Sequence, residues 1–413
     1  MSDSHVPGRV DRRDGATRTV VNTHLHLPPN FSAFRTVADA VETGRREGVC
    51  VMGASNFYDL GVYAEFAAAA ERVGIVPLFG TETICLVGSL QEDGIRVNDP
   101  DNPGRMYLCG KGIGGFDHPS LPARHLMAAI RTAAGGRMRR MVESLDSCFA
   151  DGGFDPGLTA DSIASDVADR AGVLPGSVVL QERHLALAFQ EALFVRFPVQ
   201  QRQAFLERVL RRAPVADVAD PVAVQGELRS RLMKAHGAAF EPESPVSFDD
   251  AYRLVLELDG IPCYPTLGDG VSPVCPWEEP PTALAERVLE RGIHVAELIP
   301  TRNQSSVVDA YVAAFRAAGI LVLAGTEHNT QQRIPLEPRC ADGSLPSAAA
   351  REAFWEATSV VAAHQHLRSS GRHGYVDPDG RLEPGFPDSE SRIRWFRELG
   401  AELIVSAAQA VSG

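Results

Sequence analysis

No run of apolar residues approaches the roughly 20 that span a bilayer, and the polar start MSDSHVPGRVDRRDGATR lacks the apolar centre of a secretion signal. Both absences speak against a membrane role. Positive charge is also in short supply. Lys and Arg together number 40 against 53 Asp and Glu, a net charge of −13, which argues against a surface for duplex nucleic acid. The one basic cluster, RTAAGGRMRRM around Arg131 to Arg140, reads as a solvated helix face. Cysteine pairing is missing as well: the seven cysteines are scattered, odd in number and never in CxxC spacing. A reduced, cytoplasmic compartment is the expectation. There is no internal repeat and no low-complexity tract beyond short Ala runs. A chain of 413 residues can bury a sizeable core without disulfide staples.

What is present alternates. A strand at TVVNTHLHL, a helix through RTVADAVETGRREG, a strand at VCVMGAS, a helix through VYAEFAAAAERVG and a strand at IVPLFGTE predict parallel strands with crossover helices. The stretch ETICLVGSLQEDGIRVNDPDNPGRMYLCGKGIGGF predicts an antiparallel pair around a loop rich in Asn, Asp and Pro. Long helical patterns follow, and then the strand–helix rhythm resumes with GIPCYPTL, IHVAELIP and ILVLAG. These patterns divide the chain into a flexible tail (1–18), the first part of a barrel (19–118), a helical insertion (119–250), the second part of the barrel (251–335) and a C-terminal helical segment (336–413).

Within the first strand, His24 and His26 stand two residues apart, so both imidazoles point to one face and Asn22 points with them. Two imidazoles at that spacing can hold one divalent metal; the alternative is a strand end beside the turn of Pro28, Pro29 and Asn30. The second HxH, His364 and His366, lies in a helical pattern where residues two apart diverge, and serves as an internal control. Because chemistry collects at the carboxyl ends of barrel strands, the other candidates are Ser55, Asn56 and Asp59 after strand two, Glu82 at the end of strand three and Lys111 in the loop after it. Past the insertion come Asp269, Arg302 with Asn303, and Glu327, His328 and Asn329. Asp269 in GDG reads equally as a turn residue. An extended backbone at GTEHNT aims Glu327 and Asn329 to one side and His328 to the other, and Glu327 is taken as inward. Gly110, Gly112 and Gly115 satisfy GxGxxG, but no amphipathic helix opens there, so a dinucleotide site is not expected. Arg183 and His184 of the insertion either form an ordinary helix face or reach over the barrel mouth as a lid.

With HxH ending strand one, GTE ending strand three and GTEHN ending a late strand, the chain resembles the PHP family, named for polymerase and histidinol phosphatase. The resemblance covers roughly residues 19–118 and 251–335. It implies a distorted (β/α)7 barrel of α/β class, here with a large helical insertion, and a metal-dependent phosphoesterase whose ligands come from strand ends. His24 and His26 match the family's first motif, Glu82 its bridging carboxylate, and Glu327 with Asn329 falls where Asp-x-His is expected. Ser55-Asn56-Phe57 replaces the TDH-like motif, Leu108 or Cys109 stands where a His is expected, and no His precedes GDG. The resemblance therefore implies a divergent branch that keeps part of the metal set.

The resulting expectation is a hydrolase holding a divalent ion (zinc, manganese or iron) on His24, His26 and Glu82, with Glu327 or Asp269 completing the shell and whichever remains free acting as base. Lys111 and Arg302 would hold a small anionic substrate such as a phosphate ester, aided by Asn56, Asn303 and Asn329. A metal-dependent isomerase or lyase acting on a sugar acid, and a barrel that binds without turnover, stand as alternatives. The oligomeric state is left open.

Overall fold

The computed structural model describes residues 20–411, together with the backbone of Val10–Asp11 and Thr17–Arg18, which pair antiparallel. The remainder of the expected 1–18 tail lies outside the described residues. Seven strands form a nearly closed barrel: β1 Val20–Leu25, β2 Val49–Ala54, β3 Val76–Leu86, β4 Arg105–Lys111, β5 Ile261–Thr266, β6 Val295–Leu298 and β7 Leu321–Ala324. The sheet runs β7-β6-β5-β4-β3-β2-β1. Closure comes from the chain just past β7, where Thr326 and Glu327 donate their backbone N–H groups to His24 and His26 donates to Glu327.

β1 and β2 are buried almost throughout, as strands covered on both faces must be. Their crossover helix, α1 (Val37–Arg46), is capped by the Thr36 hydroxyl accepting from the N–H of Asp39 and presents Val37, Ala40 and Val41 to the sheet. Every neighbouring pair in the barrel is parallel except at β4, which runs against both β3 and β5. That reversal decides where Lys111 goes. The residue pairs with Gly80 near the start of β3, while Arg105 pairs with Leu86 at its far end. Lys111 thus lies deep in the barrel and Arg105 at the rim.

The insertion leaves between β4 and β5. Its helices, among them α4 (Leu121–Asp151), α6 (Glu182–Arg196), α7 (Val199–Leu210) and α8 (Pro221–Leu228), enclose a core of their own around Leu145, Phe149, Phe189 and Phe205. The insertion docks on the loops that follow β1 and β7: the Gln181 amide oxygen accepts from Phe31 N, and Gln225 donates to the side chain of Gln331. It therefore covers the end of the barrel where the parallel strands finish. Beyond the barrel, α12 (Ala348–Ser369) and α13 (Ser389–Ala410) pack together where Gly400 lies against the backbone of Ser359. Among the described residues no helix is long and apolar enough to cross a membrane.

β1 is held tightly between two glycines. A Cβ added at Gly53 would lie 2.5 Å from the carbonyl oxygen of Thr23, and one at Gly325 would lie 2.2 Å from Cβ of His24. Gly325→Ala should therefore cost about 1–3 kcal/mol through overpacking and displace His24. Gly135→Ala, in α4 with nothing within 4 Å, should be neutral or slightly stabilising. Denaturant unfolding of the two variants beside the parent measures the contrast; equal midpoints for all three would contradict it.

Candidate metal centre

His24 and His26 project from one face of β1, and Glu82 reaches them from β3. Glu82 Oε2 lies 3.3 Å from Nε2 of His26 and 3.6 Å from Nε2 of His24. These atoms are close but not aligned for hydrogen bonding: Nε2 of His24 and both ring nitrogens of His26 are buried without a hydrogen-bond partner. Two ligand atoms on one tetrahedral ion, with bonds near 2.0–2.2 Å, stand about 3.3–3.6 Å apart. The three side chains consequently fit a single divalent ion, which would also satisfy the orphaned imidazole nitrogens.

The ring of His24 is oriented from behind. Its Nδ1 lies 2.6 Å from Oε2 of Glu297, a carboxylate on β6 with no solvent exposure, so Nε2 is the nitrogen left for an ion. Glu297 Oε1 accepts from Lys111 Nζ at 2.8 Å and from the Thr23 hydroxyl at 3.0 Å. Burial pushes the Glu297 carboxyl up, but Lys111 and His24 outweigh it and hold it below the usual carboxylate range. Burial and the Lys111 charge push His24 down; Glu297 and Glu82 win, raising it to about 9. His26 stacks on Phe57, with ring centroids 5.1 Å apart.

His24, Cys109 and Glu297 form a second group with ligating atoms close together. The Lys111 ammonium already supplies the cation there, bonded to Glu297, the Thr23 carbonyl and the Ser55 hydroxyl. Lys111 is therefore not an anion-binding residue in a loop: it is 3% exposed, and its charge is spent inside the barrel.

Several other expected site residues also prove to be committed to the scaffold. Asp269 accepts from the Asn303 amide and the backbone of Gln304, fixing the turn before α11 (Ser305–Ala317). Asn303 is buried and also donates to the Leu267 carbonyl. Asp269 is not in the ligand group, and both side chains are engaged in the turn. The Asn56 amide exchanges two hydrogen bonds with the backbone of Leu27, holding the loop that carries His26. Glu327 stands outside the ligand group. Its Oε2 accepts from Arg302 and Asn329 at the rim, because Glu327 and His328 both take left-handed backbone (φ 59° and 51°) and the extended geometry expected at GTEHNT does not hold. His328 is used up by Thr326 and the Ile334 carbonyl. The control pair behaves as expected: His364 is bonded to the backbone of Asp259 and Tyr375, and His366 is exposed.

Two contributors escaped the sequence reading. Glu297 could have been found as a lone acid within the apolar strand VAEL. Arg183, which the sequence offers as an ordinary helix face or a lid, lies near Glu327, Arg229 and Arg302.

No family model matches the chain, and no curated protein matches it. Among solved structures it is similar to a protein from Bifidobacterium adolescentis assigned as a metal-dependent phosphoesterase, with 16% identity and a TM-score of 0.53 over 81% of this chain and 95% of that one. A structure of an amidohydrolase from Chromobacterium violaceum, holding sulfate and no metal, aligns over 81% of this chain and 96% of that one at 17% identity and a TM-score of 0.48. The first similarity supports the barrel architecture.

The geometry predicts one ion per chain. Ala at His24, His26 or Glu82 should abolish it, whereas Cys109→Ala and His366→Ala should leave it; metal analysis of the purified proteins reads the result, and two ions per parent chain would contradict it. Lys111→Met strands the Glu297 charge and should cost about 3–5 kcal/mol in denaturant unfolding. The His24 pair has a pH signature in metal-free protein. With its pKa raised from 6.5 to about 9 on folding, its stabilising contribution is complete below pH 6.5 and is lost as pH rises through 9. The loss, on the order of 3 kcal/mol, should be absent in His24→Ala.

Proposed function

We propose that this chain is a metal-dependent hydrolase acting on a small anionic substrate, a phosphate ester being the best-supported class. The observation that carries the reading is the convergence of two imidazole nitrogens and one carboxylate oxygen, all buried, at the end of a barrel where the parallel strands finish. The architecture shared with the assigned phosphoesterase supports it, as does the resemblance of the strand-end motifs.

His24, His26 and Glu82 would hold the ion. When bound, it supplies Lewis-acid charge that polarises the scissile group and acidifies water in contact with it. The residues of the chain do the rest. Glu297 keeps the His24 ring turned toward Glu82, so that the ligand set is organised before substrate arrives. Glu327 is the carboxylate left for proton handling, since Asp269 is committed to its turn. Its Oε2 takes both rim hydrogen bonds, leaving Oε1 to accept a proton, and its backbone is bonded to His26, so it stands beside the ligands. Arg302, more than a third exposed and paired with Glu327, supplies positive charge to an anionic group.

The test is turnover of phenyl phosphate by protein as purified, after chelation, and after readdition of zinc, manganese or iron(II). Activity should disappear with chelator and return with one of the ions, and Glu327→Gln should lower kcat by about 10²–10⁴-fold with metal content unchanged. Full activity in metal-free protein would refute the reading.

A further inference from the structure

A cavity of about 130 Å³ lies between the barrel mouth and the insertion. Phe57, Tyr107 and Asn329 line its barrel side. Phe57 is also the ring stacked on His26, so a single side chain separates the cavity from the ligand set. The insertion contributes Arg137, Arg183, Arg229 and Lys234, with Glu182 among them.

The charges of this wall do not balance. The single Glu182 carboxylate is shared by Arg137 at 2.7 Å, Lys234 at 2.7 Å and Arg229 at 3.2 Å. Glu243, on the same cavity, pairs with Arg105 of the barrel rim. Arg183, adjacent to Glu182 in sequence, makes no hydrogen bond and no ion pair among the described residues. Charges of the same sign, Arg229 and Arg302, stand near it, and its nearby carboxylates, Glu182 and Glu327, are engaged by other partners. Burial and Arg229 push its pKa down to about 10, which still leaves it charged at neutral pH. A guanidinium that lines the cavity with no carboxylate of its own is placed to take an anionic ligand. The space is close to that of an apolar cavity of about 150 Å³ that accommodates benzene, so one ring fills it and a second would be left outside.

We propose that Arg183, flanked by Arg229 and Arg302, is the residue that binds the substrate's anion, and that the substrate is a small phosphate monoester whose organic part is one ring or smaller, seated against Phe57 and Tyr107. The proposal rests on the hydrolase reading above and assigns to the insertion the role first considered for Lys111. Arg183 supports no other group, so its replacement leaves the fold intact.

The experiment uses the full chain, with Arg183→Met, Arg183→Lys and, on the exposed face of α4, Arg139→Met. Calorimetric titration of metal-free protein with inorganic phosphate should show at least tenfold weaker binding for Arg183→Met, partial recovery for Arg183→Lys and no change for Arg139→Met. Metal content and melting temperature should be equal in all. With metal restored, KM for phenyl phosphate should rise at least tenfold in Arg183→Met, and naphthyl phosphate should show at least tenfold lower kcat/KM than phenyl phosphate in the parent. Phosphate binding that is absent from the parent or unaltered in Arg183→Met would overturn the anion site, and an unchanged KM would do so while leaving the hydrolase reading intact. Equal kcat/KM for the two esters would overturn the size limit. Phosphate binding that depends on Arg183 in a protein that hydrolyses no monoester would support the anion site and overturn the hydrolase reading.

Discussion

Glu297 carries a negative charge in the middle of the barrel with no exposure to solvent, and the surrounding architecture answers that charge. Lys111 from β4 and the Thr23 hydroxyl from β1 bond one oxygen, and His24 takes the other. Lys111 then extends to the Ser55 hydroxyl at the end of β2. One carboxylate on β6 thereby ties together strands from both halves of the chain. Removing any partner leaves a charge that low-dielectric surroundings cannot tolerate. The same network holds His24 Nδ1, so the tie across the barrel interior and the orientation of a ligand are one interaction.

Close backbone approach supplies the second constraint. Gly53 and Gly325 let the neighbours of β1 come within reach of Thr23 and His24, where a methyl group would collide. Immediately past Gly325 the chain enters two consecutive left-handed residues, Glu327 and His328, and Tyr58 after β2 is left-handed as well. Such conformations are costly for residues other than glycine and persist where surrounding bonds over-determine them. Here the two hydrogen bonds of His328 and the pairing of Glu327 with Arg302 and Asn329 do so. At the candidate site this strain lies next to the ligands and not among them.

How much of this was legible in the sequence depended on whether a residue's role followed from local period. His24 and His26 were readable because a strand repeats every two residues, and the helical His364 and His366 were excluded by the same argument. Glu82 was readable because the strand expected from the sequence stops at it, although the strand itself runs on to Leu86. Glu297 was not, because attention to strand ends passes over an acid in mid-strand. Lys111 is misplaced by direction: the antiparallel pair is legible in the sequence, but which end of the barrel its second strand finishes at depends on pairing with β3 and β5, which carries Lys111 back into the interior. Asp269 was open to the turn reading from its GDG setting, and the turn at Gly268–Gly270 engages both it and Asn303. The PHP-like position of Glu327 suggested a ligand. The left-handed backbone there, invisible in the sequence, turns its carboxylate to Arg302 instead.

The charge of the insertion acts against the charge of the whole chain. A net charge of −13 repels an anion at distances up to about a Debye length, near 10 Å at 0.1 M salt. The cavity wall attracts it at contact, where exclusion of water strengthens the interaction. The two terms differ in range and in screening: salt weakens the long-range repulsion of exposed carboxylates more than the contact of a buried guanidinium with its ligand. The insertion's separate core around Phe149, Phe189 and Phe205 gives Arg183 a rigid support, while its attachment to the barrel runs partly through glutamine amides on the loops after β1 and β7. The insertion can therefore bring positive charge to the mouth without any basic residue of the barrel interior being exposed, and Lys111 stays committed to Glu297.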